Sequence, residues 1–166
     1  MFDRRLVGAM AASAVLFAAG GSAAQAPPVD TLKGLFMVEV LVDAFHPDLL
    51  HDAPWLRMLR TDVESQLRLA GIPAVSESVN AKSPQTARLY LRLRATKLDD
   101  GVYAYSLRTC LTQRVQLTDG RFTQAQTWDL GEVGAIDANR VSSLRVTFRD
   151  QVNTFIDAWL TVNFKQ

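Results

Sequence analysis

The sequence predicts an α+β fold: a two-layer α/β sandwich with a four-stranded mixed sheet and two helices on one face, in the order β-α-β-β-β-α. Three observations carry the prediction. Residues 54–70 and 141–162 repeat apolar side chains at steps of three and four, the period of a helix with one buried stripe. In residues 88–98 and again in 102–117, apolar and polar residues alternate, as in strands of a sheet covered on one face. The stretch "GLFMVEVLVD", residues 34–43, is nearly continuous in apolar residues, which suits an interior strand.

Residues 1–24 read as a secretory signal peptide. Arg4 and Arg5 form a basic start, Leu6 to Ala19 an uncharged apolar run, and small residues follow. The run is short for a membrane span, which needs roughly 20 residues. Cleavage is expected after Ala24, with retention as an N-terminal anchor the alternative. No cysteine lies near that point, so a lipoprotein is not expected and the predicted location is the periplasm.

Residues 25–33 read as a tether and 34–166 as a single domain. In the first strand Phe36, Val38, Val40 and Val42 share one parity, interrupted by Glu39. The stretch "AFHPDLLHDAPW" reads as a loop. A helix follows from Pro54, with Leu56, Leu59, Val63, Leu67 and Ala70 as its stripe, Asp52 as its N-cap, and Gly71 and Pro73 as its stop. Residues 74–86 read as a polar loop.

In "RLYLRLRATKL", residues 88–98, Leu89, Leu91 and Leu93 face one way and Arg88, Tyr90, Arg92 and Arg94 the other. The next run, 102–117, turns Tyr103, Tyr105, Leu107, Leu111, Val115 and Leu117 inward. A three-residue loop, Asp99-Asp100-Gly101, pairs Leu98 with Val102 and matches the two apolar faces. A two-residue turn at Asp119 and Gly120 then sets Trp128 opposite Leu111, Asp129 opposite Cys110 and Arg114 opposite Ala125. Asp137 or Asn139 is the expected cap of the last helix. Its stripe is Val141, Leu144, Phe148, Val152, Phe155, Trp159 and Val162, widened by Ile156 and Leu160.

Without the signal segment, Lys+Arg falls from 18 to 16 and Asp+Glu from 17 to 16, a balance that gives no global field for nucleic acid. The single cysteine, Cys110, excludes an internal disulfide. About 140 residues suffice to bury one core without staples.

The first hairpin register sets Arg92 opposite Arg108, Arg94 opposite Ser106 and Arg88 opposite Thr112. Like charges face to face are destabilising unless neutralised. Asp129, beside Arg108, and Glu39, if the first strand flanks the second, are the candidates. Three readings fit this face: a solvated surface with ion pairs, a dock for an acidic protein surface, or a site for a small anion or nucleic acid. Arg88, Tyr90, Arg92, Arg94, Arg108, Arg114 and Asp129 are the candidate partner-binding residues, being of types frequent at interface hot spots.

Catalytic signatures are missing from the sequence: no G-x-S-x-G, no P-loop, no G-x-G-x-x-G. His46 and His51, with Asp43, Asp48 and Asp52, do not match a metal-ligand spacing. Cys110 lies mid-strand on the polar face without a partner histidine in sequence. Asp99 and Asp100 are explained by their turn, and Trp55, Trp128 and Trp159 by the core. No catalytic residue, metal or cofactor is expected.

The segments "DVESQLRLAGIPAV", "LYLRLRAT", "VYAYSLRTCLTQRVQL", "AQTWDLGEVG" and "FRDQVNTFIDAWLTVN" together resemble a family of small, uncharacterised exported bacterial α/β proteins. The element order is also loosely similar to the N-terminal domain of the periplasmic Tol protein, an envelope-assembly module. These features predict an exported, non-enzymatic protein-binding or envelope-assembly domain. The expected partner is an unknown envelope protein, and the expected state a monomer or weak homodimer with no membrane span once the signal is removed. A periplasmic small-molecule carrier, using the gap between the helix layer and residues 43–54, is the alternative. A hydrolase with a non-standard site is the third reading.

Overall fold

The computed structural model describes residues 29–45, 54–75, 86–98 and 101–164. It is an α+β fold with a mixed sheet and two helices, but the sheet has five strands, not four. In chain order they are β1 (Val38–Phe45), β2 (Ala74–Val75), β3 (Ala87–Lys97), β4 (Val102–Gln116) and β5 (Phe122–Asp137). Helix α1 (Pro54–Leu69) lies between β1 and β2, and helix α2 (Leu144–Asn163) follows β5. The spatial order is β2-β1-β3-β4-β5.

The extra strand, β2, lies in a stretch expected as polar loop. It pairs with β1 only through Val38 with Ala74 and Glu39 with Val75. Two residues give no alternation to read. β3 runs parallel beside β1, which settles the place of the first strand that the sequence left open, and β4 and β5 follow as the expected antiparallel hairpin strands.

Helix α1 ends where the sequence says it must. Gly71, at φ 85°, takes the left-handed conformation that disfavours a side chain. It lets Gly71 N–H bond to the Arg68 carbonyl (3.0 Å) and Ile72 N–H to the Leu67 carbonyl (2.9 Å), the paired closure of a Schellman cap. The proposed N-cap, Asp52, lies outside the described residues. The last helix does not start on a side-chain cap. A 3-10 turn, Ala138–Ser143, precedes α2, and neither Asp137 nor Ser143 makes a side-chain cap bond.

Leu59, Val63 and Leu67 of α1 and Leu144, Phe148, Val152, Phe155 and Trp159 of α2 are buried against one sheet face. That face presents Val38, Val40, Leu89, Leu91, Leu93, Leu107, Leu111 and Trp128. Trp128 meets Phe155 edge to face at 5.2 Å, and Trp159 donates its indole N–H to the Leu35 carbonyl at 2.6 Å. Phe36 departs from the expected inward parity. The strand begins at Val38, and Phe36 is 73% exposed. Leu117, expected inward, is exposed as well, because β4 and β5 run on past the helix layer. Leu32, in the segment expected as a tether, is fully buried within a 3-10 turn, Asp30–Leu32. Residues 1–28 fall outside the described residues.

The first hairpin has the expected register, with Lys97 opposite Tyr103 and Leu98 N–H bonded to the Val102 carbonyl at 2.8 Å. The second differs in an instructive way. Leu117 N–H bonds to the Arg121 carbonyl, so the loop is three residues, Thr118 to Gly120, with Gly120 at φ 85°. Arg114 therefore sits opposite Gln124, not Ala125. A β-bulge between Leu111 and Thr112 leaves Thr127 as an extra residue on β5. The bulge cancels the turn's one-residue shift and returns Trp128 to Leu111 and Asp129 to Cys110, as expected. The bulged residue is well held. Its hydroxyl donates to Gln113 Oε1 (2.5 Å), and its carbonyl accepts from the Thr31 hydroxyl (2.9 Å).

Candidate functional site

The sheet face opposite the helices carries the arginines. Strand alternation puts Glu39, Leu41 and Asp43 of β1, Arg88, Tyr90, Arg92 and Arg94 of β3, and Arg108 and Cys110 of β4 on it. Two rows cross it: Asp43–Arg92–Arg108–Gly131 and Leu41–Tyr90–Cys110–Asp129. The expected confrontation of Arg92 with Arg108 is real, and carboxylates stand on either side of it.

Glu39 is the deepest of them, 1% exposed, and accepts from Arg88 Nε at 3.0 Å. That bond holds the Arg88 guanidinium's pKa above its ordinary value, more than burial lowers it. Asp129 Oδ2 accepts from Arg108 Nε (3.0 Å) and Nη2 (2.6 Å). Asp43, the last residue of the stretch expected as the first strand and weighed only beside the histidines as a metal ligand, lies in β1, with Oδ2 3.8 Å from Arg92 Nε and 3.7 Å from Arg94 Nη2. Those distances make ion pairs but not hydrogen bonds. Arg92 Nε is buried and has no hydrogen-bond partner among the described residues, while its guanidinium carbon rests 4.6 Å from the Tyr90 ring centre.

Cys110 is on this polar face, as expected, yet it is fully buried beneath it. Burial pushes its thiol pKa up, against the pull of Arg92 and Arg108. A thiol so held keeps its proton, the opposite of what a nucleophile needs. Beside Arg108 a hollow of about 340 Å³ is lined by Asp129, Gly131 and Val133, and Val133 is 78% exposed.

The structure thus brings Arg88, Tyr90, Arg92, Arg94, Arg108 and Asp129 together. Arg114 stands apart, six residues along β4 from Arg108, about 20 Å at 3.4 Å per residue. Sequence reasoning missed Asp43, whose signal was its even spacing from Glu39 and Leu41, and the hollow, whose signal was Gly131 opposite Arg108.

His46, His51, Asp48 and Asp52 lie outside the described residues, among which no group of three or more metal-ligating side chains occurs. A gap of about 400 Å³ lies between Leu41–Ala44 of β1 and Leu56, Arg57 and Arg60 of α1, on the side where the carrier alternative put a ligand. Among the described residues no helix is long and apolar enough to cross a membrane.

Fold and face define an α+β sandwich domain with one arginine-lined open sheet surface. No protein-family model matches the chain, and no curated protein matches it significantly. Among solved structures, a single-substitution variant of PelC from Paraburkholderia phytofirmans, a dodecamer, is similar at 13% identity and a TM-score of 0.42. That match covers 77% of this chain and 89% of the other. The rare lipoprotein B from Shewanella oneidensis is similar at 13% identity and a TM-score of 0.34, over 77% and 99%. A minor lipoprotein from Acinetobacter baumannii is similar at 12% identity and a TM-score of 0.27, over 78% and 84%. The architectural likeness to the Tol module is not among what these comparisons show. Overlaps at this level leave function to the chain's own residues.

Proposed function

We propose that the chain is an exported, non-enzymatic domain that works by protein contact, docking an acidic partner surface on its open sheet face. The observation that carries the reading is Arg92. It lies directly opposite a like charge, and its Nε donor is buried without an acceptor among the described residues. Buried donors are nearly always satisfied, so one left open on a rigid strand is a place for an incoming acceptor. Around it, among the described residues, stand the partly exposed guanidiniums of Arg92, Arg94 and Arg108, with the carboxylates of Asp43 and Asp129 beside them. Exposed Val133, beside the Arg108 hollow, supplies an apolar contact. Export is supported by the basic, apolar and small-residue layout of the first 24 residues, and mature protein should begin at Gln25. The cleavage region's lack of cysteine supports a chain without a lipid anchor. The non-enzymatic reading is supported by the burial of Cys110, which also pushes its thiol pKa up.

The test is site-specific photocrosslinking with the isolated envelope of the source cells. p-Benzoylphenylalanine replaces exposed Ser106 on the open face or exposed Asp157 on the helix face. The reading expects one discrete heterologous adduct from position 106 alone, with a yield that falls as salt is added. Equal adducts from both positions, or none from position 106, would refute it.

A further inference from the structure

At the far end of the sheet from Arg92 and Arg94, the chain leaves a cavity of about 380 Å³. That volume lies within the roughly 300–1,000 Å³ of small-molecule sites. The residues leading into β1, the start of β3 and the β4–β5 hairpin meet there.

Three features of its lining point to a ligand. Thr86 is only 4% exposed, and its hydroxyl is buried without a hydrogen-bond partner among the described residues. Lys33 and Arg114 line the cavity, and none of the described residues that line it is acidic. Arg114 makes no ion pair among the described residues; its guanidinium carbon is 4.0 Å from the centre of the Phe122 ring. Finally, Phe36 and Phe122 line the same space at 73% and 55% exposure, leaving two aromatic rings largely in water. Uncovered aromatic surface of this size marks a contact surface more often than it decorates a monomer.

We propose that this cavity binds a small amphipathic carboxylate. The carboxylate would take charge-assisted bonds from Arg114 and Lys33 and a hydrogen bond from the Thr86 hydroxyl. The apolar body would cover Phe36 and Phe122. A neutral apolar molecule leaves the two cations and the hydroxyl unanswered, and a bare inorganic anion leaves the rings wet. Because the cavity lies some 20 Å along the strands from Arg92 and Arg108, the site stands whether or not the open face docks a partner.

The experiment is calorimetric titration of the mature protein with decanoate, decanol and inorganic phosphate, each below any aggregation threshold. Decanoate should saturate at one equivalent, with decanol and phosphate each at least about tenfold weaker. Amide resonances of Thr86 and Ala87 should shift along with saturation. Arg114→Gln and Thr86→Val should each weaken decanoate several-fold to tenfold with unchanged melting, and Phe122→Ser should weaken decanoate and decanol alike. Phe122 is exposed, so this last variant tests the apolar wall without disturbing the core. Decanoate that fails to saturate, decanol that binds as well as decanoate, or Arg114→Gln with unaltered affinity would overturn the assignment.

Discussion

Replacing Arg88 with Met strands Glu39. The Glu39 side chain is 2% exposed and Arg88 32%, with 3.0 Å between Nε and Oε2. At an effective dielectric near 20 and a charge separation of about 4 Å, the attraction is about 4 kcal/mol gross. Most of it offsets the cost of taking Glu39 out of water. Removing the cation leaves that cost standing, so Arg88→Met should destabilise by about 3–5 kcal/mol. Glu39→Met leaves Arg88, which still reaches solvent, and should cost less, about 1–2 kcal/mol. The double variant should lie within about 1 kcal/mol of the parent, because a paired charge exchanged for apolar bulk is close to neutral. Urea denaturation of the four proteins at pH 7 gives the coupling energy directly. A cost below about 1 kcal/mol would refute the buried pair.

Truncating Trp128 or Trp159 to Ala should cost about 3–5 kcal/mol each, read by chemical denaturation. Both are at most 5% exposed, and Trp159 also loses its bond to the Leu35 carbonyl; a loss under about 1 kcal/mol at Trp128 would mean the second hairpin has another register. Native Cys110 should resist iodoacetamide at pH 8, reacting only as fast as the chain unfolds, as measured by mass spectrometry. The same thiol sets a pH dependence: burial raises its folded pKa above the ordinary 9.0, so its contribution is complete below about pH 9 and is lost as pH rises through the folded value. Cys110→Ala should flatten that alkaline fall. Tyr105, raised above its ordinary 10.0 by its bond to Glu132, should leave a further fall at still higher pH.

The first hairpin was legible because two independent signals coincide there. Gly101 marks the loop, and matching the apolar faces demands the same register. In the second hairpin the face argument placed Trp128 and Asp129 correctly although the turn was misread by one residue. Thr127 bulges and absorbs the difference, and a bulge leaves no trace in a pattern of apolar and polar residues. β2 was hidden by its brevity. Both helices were legible from their stripes, but the 3-10 entry to α2 was not, since the side chains at Asp137 and Asn139 suit a cap that tertiary packing does not use. Most of the arginine face follows from strand parity alone. Asp43 did not, because it closes the expected first strand and was weighed only with the histidines beyond it, as a metal ligand. The cavity at Thr86 was illegible for a plainer reason: Phe36 looked like core until the strand proved to start at Val38.

The most direct test of the open face as a partner dock is the crosslink from position 106 repeated in an Arg92→Ser, Arg108→Ser background. Arg108 and Asp129 are about half and a third exposed, so their ion pair is worth about 0–1 kcal/mol. The double variant should therefore stay folded, within about 0.5 kcal/mol per site. The account predicts that the heterologous adduct disappears from this folded protein while its size in solution is unchanged. An adduct formed at undiminished yield by the folded variant would contradict it.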